Sequence, residues 1–211
     1  MLGATATVKK VIGYKNKDLI GIPWMLAFAL RAKGWYLRQD IIWAKPNPMP
    51  ESVTDRCTKS HEYIFLLTKS SKYYFNQKEI QEPAVAKGKD SGYAHRYGGK
   101  KYTETPNKFY RTKSGNAYLY RPFRNKRDVW TIPTKPCKEA HFATYPQELI
   151  SPCILAGCPE GGIVLDPFMG SGTTAIVAKQ MNRNYIGIEL NKEYKEIADN
   201  RLRTIFGLFA D

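Results

Sequence analysis

The feature that most constrains this chain is a glycine-rich turn between an apolar strand and a helix. Residues 166–174 read Asp-Pro-Phe-Met-Gly-Ser-Gly-Thr-Thr. An apolar run at 163–165 precedes them, and a helix-like apolar run at 175–178 follows them. Strand, glycine turn and helix in this order are the layout of a nucleotide-type cofactor site. The pattern therefore predicts an α/β fold with a ligand bound at the turn.

The pattern continues beyond the turn, with a strand over 185–189 and a helix over 192–206. A strand-helix-strand-helix unit predicts a parallel sheet covered by helices. Further elements are predicted upstream: a helix over 19–33 capped by Asp18, one or two strands within 35–43, a buried strand over 61–67 paired with 73–75, and a helix over 145–157.

The residues of the turn restrict which ligand fits. No lysine precedes the Ser/Thr residues as a phosphate-binding P-loop requires, and Ala175 leaves only the relaxed form of the dinucleotide motif. Glu189 lies 189 − 170 = 19 positions after Gly170, where an acid accepts hydrogen bonds from ribose hydroxyls. A ribose with a small anionic group favours S-adenosylmethionine, with a dinucleotide as the alternative.

The charge of the chain indicates an acidic partner. Lysine and arginine number 33 against 19 acidic residues, a net charge of +14, which favours nucleic acid. No apolar run reaches about 18 residues and the N-terminus lacks a signal-peptide core, so we expect no membrane segment. The four cysteines lack Cys-x-x-Cys spacing, so we expect no metal site, and a cytoplasmic, nucleoid-associated protein with reduced thiols.

Composition divides the chain into three parts. Between 77 and 127 the aliphatic residues nearly vanish, and lysine, arginine, glycine and tyrosine alternate without periodicity. We predict a basic, loop-rich insertion there, between an N-terminal part at 1–76 and a cofactor-binding half at 128–211.

Several blocks resemble a known family. The 166–174 turn and Tyr-Ile-Gly-Ile-Glu at 185–189 resemble the cofactor motifs of DNA amino-methyltransferases, which modify adenine N6 or cytosine N4. His141–Ile150 is similar to the segment before that motif in permuted members. Leu19–Thr68 is similar to a subgroup with beta-type order, in which the cofactor half follows the catalytic half. The resemblance implies a Rossmann-like S-adenosylmethionine methyltransferase fold with an incomplete central sheet.

The resemblance also implies roles for individual residues. Those expected to bind S-adenosylmethionine are Asp166, Pro167, Phe168, Gly170, Gly172, Thr173, Thr174, Glu189, His141, Phe142 and Pro146. The insertion at 77–127 would recognise double-stranded DNA, because lysine and arginine neutralise phosphates and tyrosine stacks on bases. Its candidate DNA-binding residues are Arg96, Lys100, Lys101, Arg111, Arg121 and Arg124.

One family motif is absent from the sequence. These enzymes carry (Asp/Asn/Ser)-Pro-Pro-(Tyr/Phe/Trp), whose first residue accepts from the target amine and whose aromatic stacks on the flipped base. The chain has no Pro-Pro pair, and Asn-Pro-Met-Pro at 47–50 lacks the aromatic. We therefore assign no catalytic residue. We expect a truncated chain that binds cofactor weakly, methylates poorly alone, and works with a companion polypeptide carrying the tetrad.

Several functional readings stay open at this point. The leading one is a site-specific DNA methyltransferase, or a fragment of one, acting on an exocyclic amine. Members with the Leu19–Thr68 block often have serine in the tetrad, which favours cytosine N4 over adenine N6. The alternatives are an inactive DNA-binding remnant or partner subunit, an RNA methyltransferase, and a cytosine C5 enzyme using Cys137 or Cys153.

Overall fold

The structure is a computed structural model that describes residues 13–84, 109–111, 117–119, 123–135 and 144–207. In chain order its elements are α1 (Ile22–Ala32), β1 (Tyr36–Ala44), β2 (His61–Thr68), a 3-10 turn (Gln77–Ile80), β3 (Glu82–Pro83), β4 (Phe109–Arg111), β5 (Ala117–Leu119), β6 (Phe123–Arg124), β7 (Val129–Thr131), α2 (Gln147–Gly157), β8 (Ile163–Asp166), α3 (Thr173–Gln180), β9 (Asn184–Gly187) and α4 (Lys192–Phe206). None of the helices in these ranges is long and apolar enough to cross a bilayer.

The contacts divide the chain into two compact units. The first contains the described residues up to Ile42 together with Glu62–Tyr73. The second contains Trp43–His61 and the described residues from Tyr74 onward. The predicted cofactor turn lies wholly in the second unit.

The first unit is built from α1, most of β1 and most of β2. The ring of Trp24 on α1 packs against Tyr63 and Phe65 of β2, with centroids 5.5 and 4.9 Å apart. The predicted start of α1 at residue 19 is wrong. Gly21, with φ of 72°, is the N-cap, and Asp18 accepts from the Lys15 amide at 2.7 Å instead of capping the helix.

Residues 36–44 form one long strand, which is one of the two arrangements expected for this segment. Two other expectations about this unit needed correction. The stretch 73–75 is not a strand, so it is no hairpin partner for β2. The hydroxyl of Tyr73 instead accepts from Arg38 Nε at 3.2 Å. The expected burial of β2 is also incomplete, since only Thr68 in this strand is buried.

The core of the second unit is a two-stranded parallel sheet with helices packed on it. Strands β8 and β9 pair from Ile163–Asn184 to Asp166–Gly187. Helix α3 packs on both strands and also contacts α2 and α4. Its residues from Thr173 to Ala178 are all buried. The predicted strand-helix-strand-helix unit is confirmed, except that β9 ends at Gly187 and leaves Glu189 in the loop after it.

The second unit also contains short strand pairs and a loop fixed by side-chain hydrogen bonds. Strands β3 and β6 form one antiparallel pair, and β4 and β5 form another. The proline-rich loop after β1 is held by Asn47, whose side-chain amide donates to Thr134 O at 3.2 Å and accepts from Thr134 N at 3.0 Å. The indole of the buried Trp43 donates to Ile132 O at 2.8 Å.

Candidate functional site

The glycine turn is fixed by backbone hydrogen bonds at the carboxyl ends of β8 and β9. The Ile188 amide donates to Asp166 O, and the Met169 amide donates to Ile188 O, each at 2.9 Å. The Gly172 amide then donates to Met169 O at 3.0 Å, which closes the turn into α3. In a parallel α/β sheet this edge is where ligands bind.

Three glycine positions explain why the turn has this composition. Gly172 has φ of 81°, and a Cβ there would lie 2.9 Å from Ala198 Cβ, so α4 packs directly on this residue. A Cβ on Gly187 would lie 1.9 Å from Met169 Sδ. Gly170 has φ of 53°, but a Cβ there would meet no atom within 4 Å. Gly172 and Gly187 therefore serve packing, whereas Gly170 borders open space.

Asp166 is turned inward onto the structure of the site. Its Oδ1 accepts from the Phe168 amide at 3.0 Å, and its Oδ2 accepts from Thr174 Oγ1 at 2.5 Å. The hydroxyl of Tyr145 lies 3.3 Å from the same Oδ2 and 2.5 Å from Thr174 Oγ1. The carboxylate thus ties the end of β8 to the first turn of α3.

Glu189, in the loop after β9, accepts hydrogen bonds on both sides of the site. Its Oε2 accepts from the Gly170 amide and its Oε1 from the Asn191 amide, both at 2.8 Å. The hydrogen bonds from Asn191 and Gly170 lower the pKa of this carboxyl, so it is ionised at neutral pH. A carboxylate has about four acceptor sites. The carboxylate therefore retains acceptor capacity beyond these two hydrogen bonds, which suits the hydroxyls of a ribose.

The start of α3 borders a cavity of about 270 Å³. The N-cap of α3 is Gly172, and no side chain caps the helix. The amides of its first turn therefore keep the positive end of the helix dipole available to an anion. Arg201 of α4 donates to Ser171 O at 2.5 Å and to Ser171 Oγ at 2.9 Å, which fixes the residue before this helix start. The cavity is lined by Lys135, Thr144, Tyr145, Pro146, Gln147, Glu148, Thr173 and Arg201.

Two apolar side chains next to the turn are almost fully exposed. Phe168 is 88% exposed and Leu190, immediately after Glu189, is 98% exposed. A flat apolar ligand against the turn would cover apolar surface that otherwise faces water. Polar acceptors flanked by exposed apolar groups suit a nucleoside.

The similarity of the chain to known proteins agrees with this geometry. Residues 5–200 match the family model N6_N4_Mtase, described as DNA methylase. The chain belongs to this DNA methylase family. It is 52% identical over 191 residues to the Type II methyltransferase M.Cfr9I of Citrobacter freundii, a match covering 90% of the chain. It is 46% identical over 190 residues to M.SmaI of Serratia marcescens, again covering 90% of the chain.

Solved structures show the same fold. The structure of M1.HpyAVI in complex with SAM matches 88% of the chain and 72% of that chain, with a TM-score of 0.55 and 26% identity. The cytosine-N4-specific PvuII DNA methyltransferase matches 85% of the chain and 56% of that chain at a TM-score of 0.59, and its 16% identity shows the fold alone. The expected Rossmann-like methyltransferase fold is confirmed. The chain spans only 52% of M.Cfr9I and 54% of M.SmaI.

The residues expected at the cofactor site in this DNA methylase chain fall into two groups. Asp166, Pro167, Phe168, Gly170, Gly172, Thr173, Thr174 and Glu189 lie together around the turn, and Pro146 lines the cavity with Thr173. His141 and Phe142 lie outside the described residues. The hydroxyl of Thr174 faces Asp166, so only its amide is available for the expected contact with a carboxylate.

Among the six predicted DNA-binding residues, Arg124 has a described side chain. Arg96, Lys100, Lys101 and Arg121 lie outside the described residues, and Arg111 lies in β4 without a described side chain. Arg124 is described, and its Nε contacts Glu82 Oε1 at 2.7 Å. Arg127 contacts the same oxygen at 2.7 Å. Arg124 therefore links β6 to β3 as part of a three-residue ionic cluster.

Sequence reasoning missed three residues at the site: Tyr145, Leu190 and Arg201. Tyr145 lies inside the 141–150 segment that resembles the family, directly before the proline expected to flank the cofactor. Leu190 directly follows the acid, and Arg201 lies one helical turn after Ala198, the residue on which Gly172 packs. Residues 198 and 201 are spaced to lie on the same face of a helix, and this spacing was the sequence signal that could have predicted Arg201 beside the turn.

The thiol of Cys153 does not fit the role of the nucleophile in a cytosine C5 enzyme. Burial raises the pKa of this thiol to about 11, so it stays protonated at neutral pH and is a poor nucleophile. Its Sγ points to Leu149 O at 3.7 Å, within its own helix. Cys137 lies outside the described residues. Within the described part of the chain, no group of three or more metal-ligating side chains occurs.

Proposed function

We propose that this chain forms the S-adenosylmethionine-binding half of a site-specific DNA methyltransferase. The observation that carries the proposal is the pairing of Glu189 with the Gly170 turn. The ionised carboxylate is fixed by the Gly170 and Asn191 amides and retains acceptor capacity for a ligand. Bound S-adenosylmethionine would supply an electrophilic methyl group, while this chain holds and orients it.

Each side of the site has a distinct task in this proposal. Glu189 accepts from the ribose hydroxyls, and the exposed side chains of Phe168 and Leu190 cover the apolar faces of the ligand. The uncapped first turn of α3, with Thr173 on the cavity wall, receives the carboxylate of the methionine part. Pro146 lines the same cavity.

The substrate we propose is double-stranded DNA, with methylation at an exocyclic amine and cytosine N4 favoured over adenine N6. The net charge of +14 supports a polyanionic partner. With DNA as that partner, we propose that the protein acts in the cytoplasm, associated with the nucleoid. The insertion at 77–127 remains our candidate for target recognition. In Arg124 the Glu82 contact supports a structural role, so the DNA contacts are proposed for the other five basic residues.

The base-holding tetrad is proposed to come from a companion polypeptide or a further segment of chain. Its absence from the 211 residues is one reason. The second reason is an apolar sheet face, composed of Ile163, Leu165, Ile186 and Ile188, each more than half exposed. Parallel sheets are normally covered on both faces. Further strands and helices carrying the tetrad would cover this one.

Isothermal titration calorimetry with S-adenosylmethionine tests the cofactor assignment. We expect saturable binding by the wild-type chain and at least about tenfold weaker binding by Glu189→Ala, because two charge-assisted hydrogen bonds are lost. Glu193→Ala is the matched control, since it removes a carboxylate from the adjacent first turn of α4. Absence of heat from the wild-type chain at high micromolar cofactor would favour a DNA-binding remnant.

A methylation assay tests the division of labour. Labelled S-adenosylmethionine and plasmid DNA are incubated with the chain alone, and then with a separately purified polypeptide containing the tetrad region of a relative such as M.Cfr9I. We expect incorporation only in the mixture. Strong incorporation by the chain alone would contradict the need for a companion, and the modified base identifies cytosine N4 or adenine N6.

A further inference from the structure

Tyr145 lies at a junction of three segments of the cofactor-binding half. It directly precedes Pro146, the N-cap of α2. Its hydroxyl reaches Asp166 at the end of β8 and Thr174 in the first turn of α3, at 3.3 and 2.5 Å. The side chain is partly buried, and its burial raises the pKa of the phenol, with the Asp166 carboxylate acting in the same direction. The hydroxyl therefore keeps its proton.

Two hydroxyl protons serve three contacts among these groups, since the Tyr145 hydroxyl also donates directly to Asp166 Oδ2 at 3.3 Å. An ionised carboxylate can only accept, and each hydroxyl has one proton to donate. Thr174 donates to Asp166 Oδ2 at 2.5 Å. Thr174 Oγ1 is then an acceptor for Tyr145 at the equally short distance. Tyr145 therefore reaches the Asp166 carboxylate both directly and through the Thr174 hydroxyl, in a network in which each bond polarises the next.

These hydrogen bonds continue from Asp166 into the glycine turn. Asp166 Oδ1 accepts from the Phe168 amide at 3.0 Å, and Phe168 is the exposed ring beside the turn. Tyr145 is also part of the cavity wall at the start of α3. A change in its hydroxyl is thus transmitted both to the turn and to the helix start.

We propose that Tyr145 is a positioning residue for the cofactor turn, acting through Thr174 and Asp166. The inference rests on the proposed function for its consequence, which is cofactor affinity. Its structural claim is independent of that function: Tyr145 keeps residues 166–174 ordered in the unliganded chain. Tyr145 is assigned no contact with a reacting atom.

Tyr145→Phe tests the proposal because it keeps the ring and removes only the hydroxyl. We expect about three- to tenfold weaker binding of S-adenosylmethionine, the effect of one buried hydrogen bond. In the unliganded variant we expect faster amide hydrogen exchange within 166–174. Tyr185→Phe is the matched control, because Tyr185 packs on the same helix, and we expect wild-type affinity and exchange for it.

A double-mutant cycle separates positioning from general destabilisation. If Tyr145 and Thr174 both act on Asp166, then the effects of Tyr145→Phe and Thr174→Val on binding should be less than additive in the double variant. Additive effects in the two backgrounds would overturn the proposal, as would unchanged exchange at 166–174 in Tyr145→Phe. If the wild-type chain binds no cofactor, the proposed function fails, while the exchange measurement still decides the role of Tyr145.

Discussion

The two faces of the β8–β9 sheet differ in a way that locates the site. On one face Val164 and Tyr185 pack against the buried residues of α2 and α3. On the other face Ile163, Leu165 and Ile186 are 63, 60 and 52% exposed. The two strands therefore pack against helices on one face and expose an apolar surface on the other. The glycine turn lies at the carboxyl ends of these strands, next to both faces of the sheet.

The covered face of the sheet therefore supplies most of the stability, whereas the open face is the one that lacks a covering layer. The covered face holds the two largest fully buried side chains among the described residues, Ile176 and Val177. The open face contributes little to stability, because its side chains have lost only part of their exposure to water. Substitutions on the two faces should therefore have unequal effects on folding.

The largest expected effect is on the covered face. Ile176→Ala should lower the free energy of unfolding by about 2–5 kcal/mol, because Ile176 is fully buried and the change leaves a cavity. Ile186→Ala, the same change on the open face, should cost less than about 1.5 kcal/mol. Urea unfolding followed by circular dichroism measures both. Equal losses would mean that the open face is packed in solution, and the comparison would be wrong.

The two turn glycines give the next largest effect. Gly172→Ala should cost about 2 kcal/mol or more, because a positive φ is combined with a 2.9 Å approach to Ala198 Cβ. Gly170→Ala has the φ penalty alone, about 1 kcal/mol. Gly170→Ala should weaken cofactor binding more than Gly172→Ala does, because the space beside Gly170 is the proposed ligand space.

Unfolding and calorimetry on the same two variants decide this point. Gly157→Ala is a suitable control, since that glycine ends α2 without a positive φ, and an added Cβ would meet no atom within 4 Å. If Gly170→Ala bound S-adenosylmethionine as tightly as the wild-type chain, the open space beside Gly170 would not be the ligand site.

The sequence predicted the cofactor-binding half well because its signals are local. Apolar periodicity defined β8, α3 and α4, and the glycines marked the turn between them. The hydrogen-bond partners of Asp166 could not be read in this way, since Tyr145 lies 21 positions away. The start of α1 was misjudged because Asp18 made a local turn with Lys15 instead of a cap. Short polar side chains often compete for backbone in this manner.

A smaller effect is expected from pH through Glu189. Its pKa is lowered in the folded chain by the Asn191 and Gly170 amides, relative to an ordinary value of 4.5. A lowered pKa contributes stability that is present above about pH 4.5 and is lost as pH falls through the folded value. Glu189→Gln should therefore flatten the acid side of the stability profile. Thermal unfolding between about pH 3 and 7 measures the difference, and parallel profiles would contradict it.

The smallest effect on folding is expected on the open face, and it separates the two faces most directly. Leu165→Lys places a charge on a side chain that is 60% exposed. Partly exposed sites tolerate such changes, so the free energy of unfolding should move by no more than about 0.5–1 kcal/mol. Association should fall, because exposed apolar patches drive it. Light scattering against protein concentration measures this.

Val164→Lys, on the neighbouring position of the covered face, should unfold the chain, since it would bury a charge against α3. If Leu165→Lys were as damaging as Val164→Lys, the open face would already be occupied, and no companion segment would be needed to cover it.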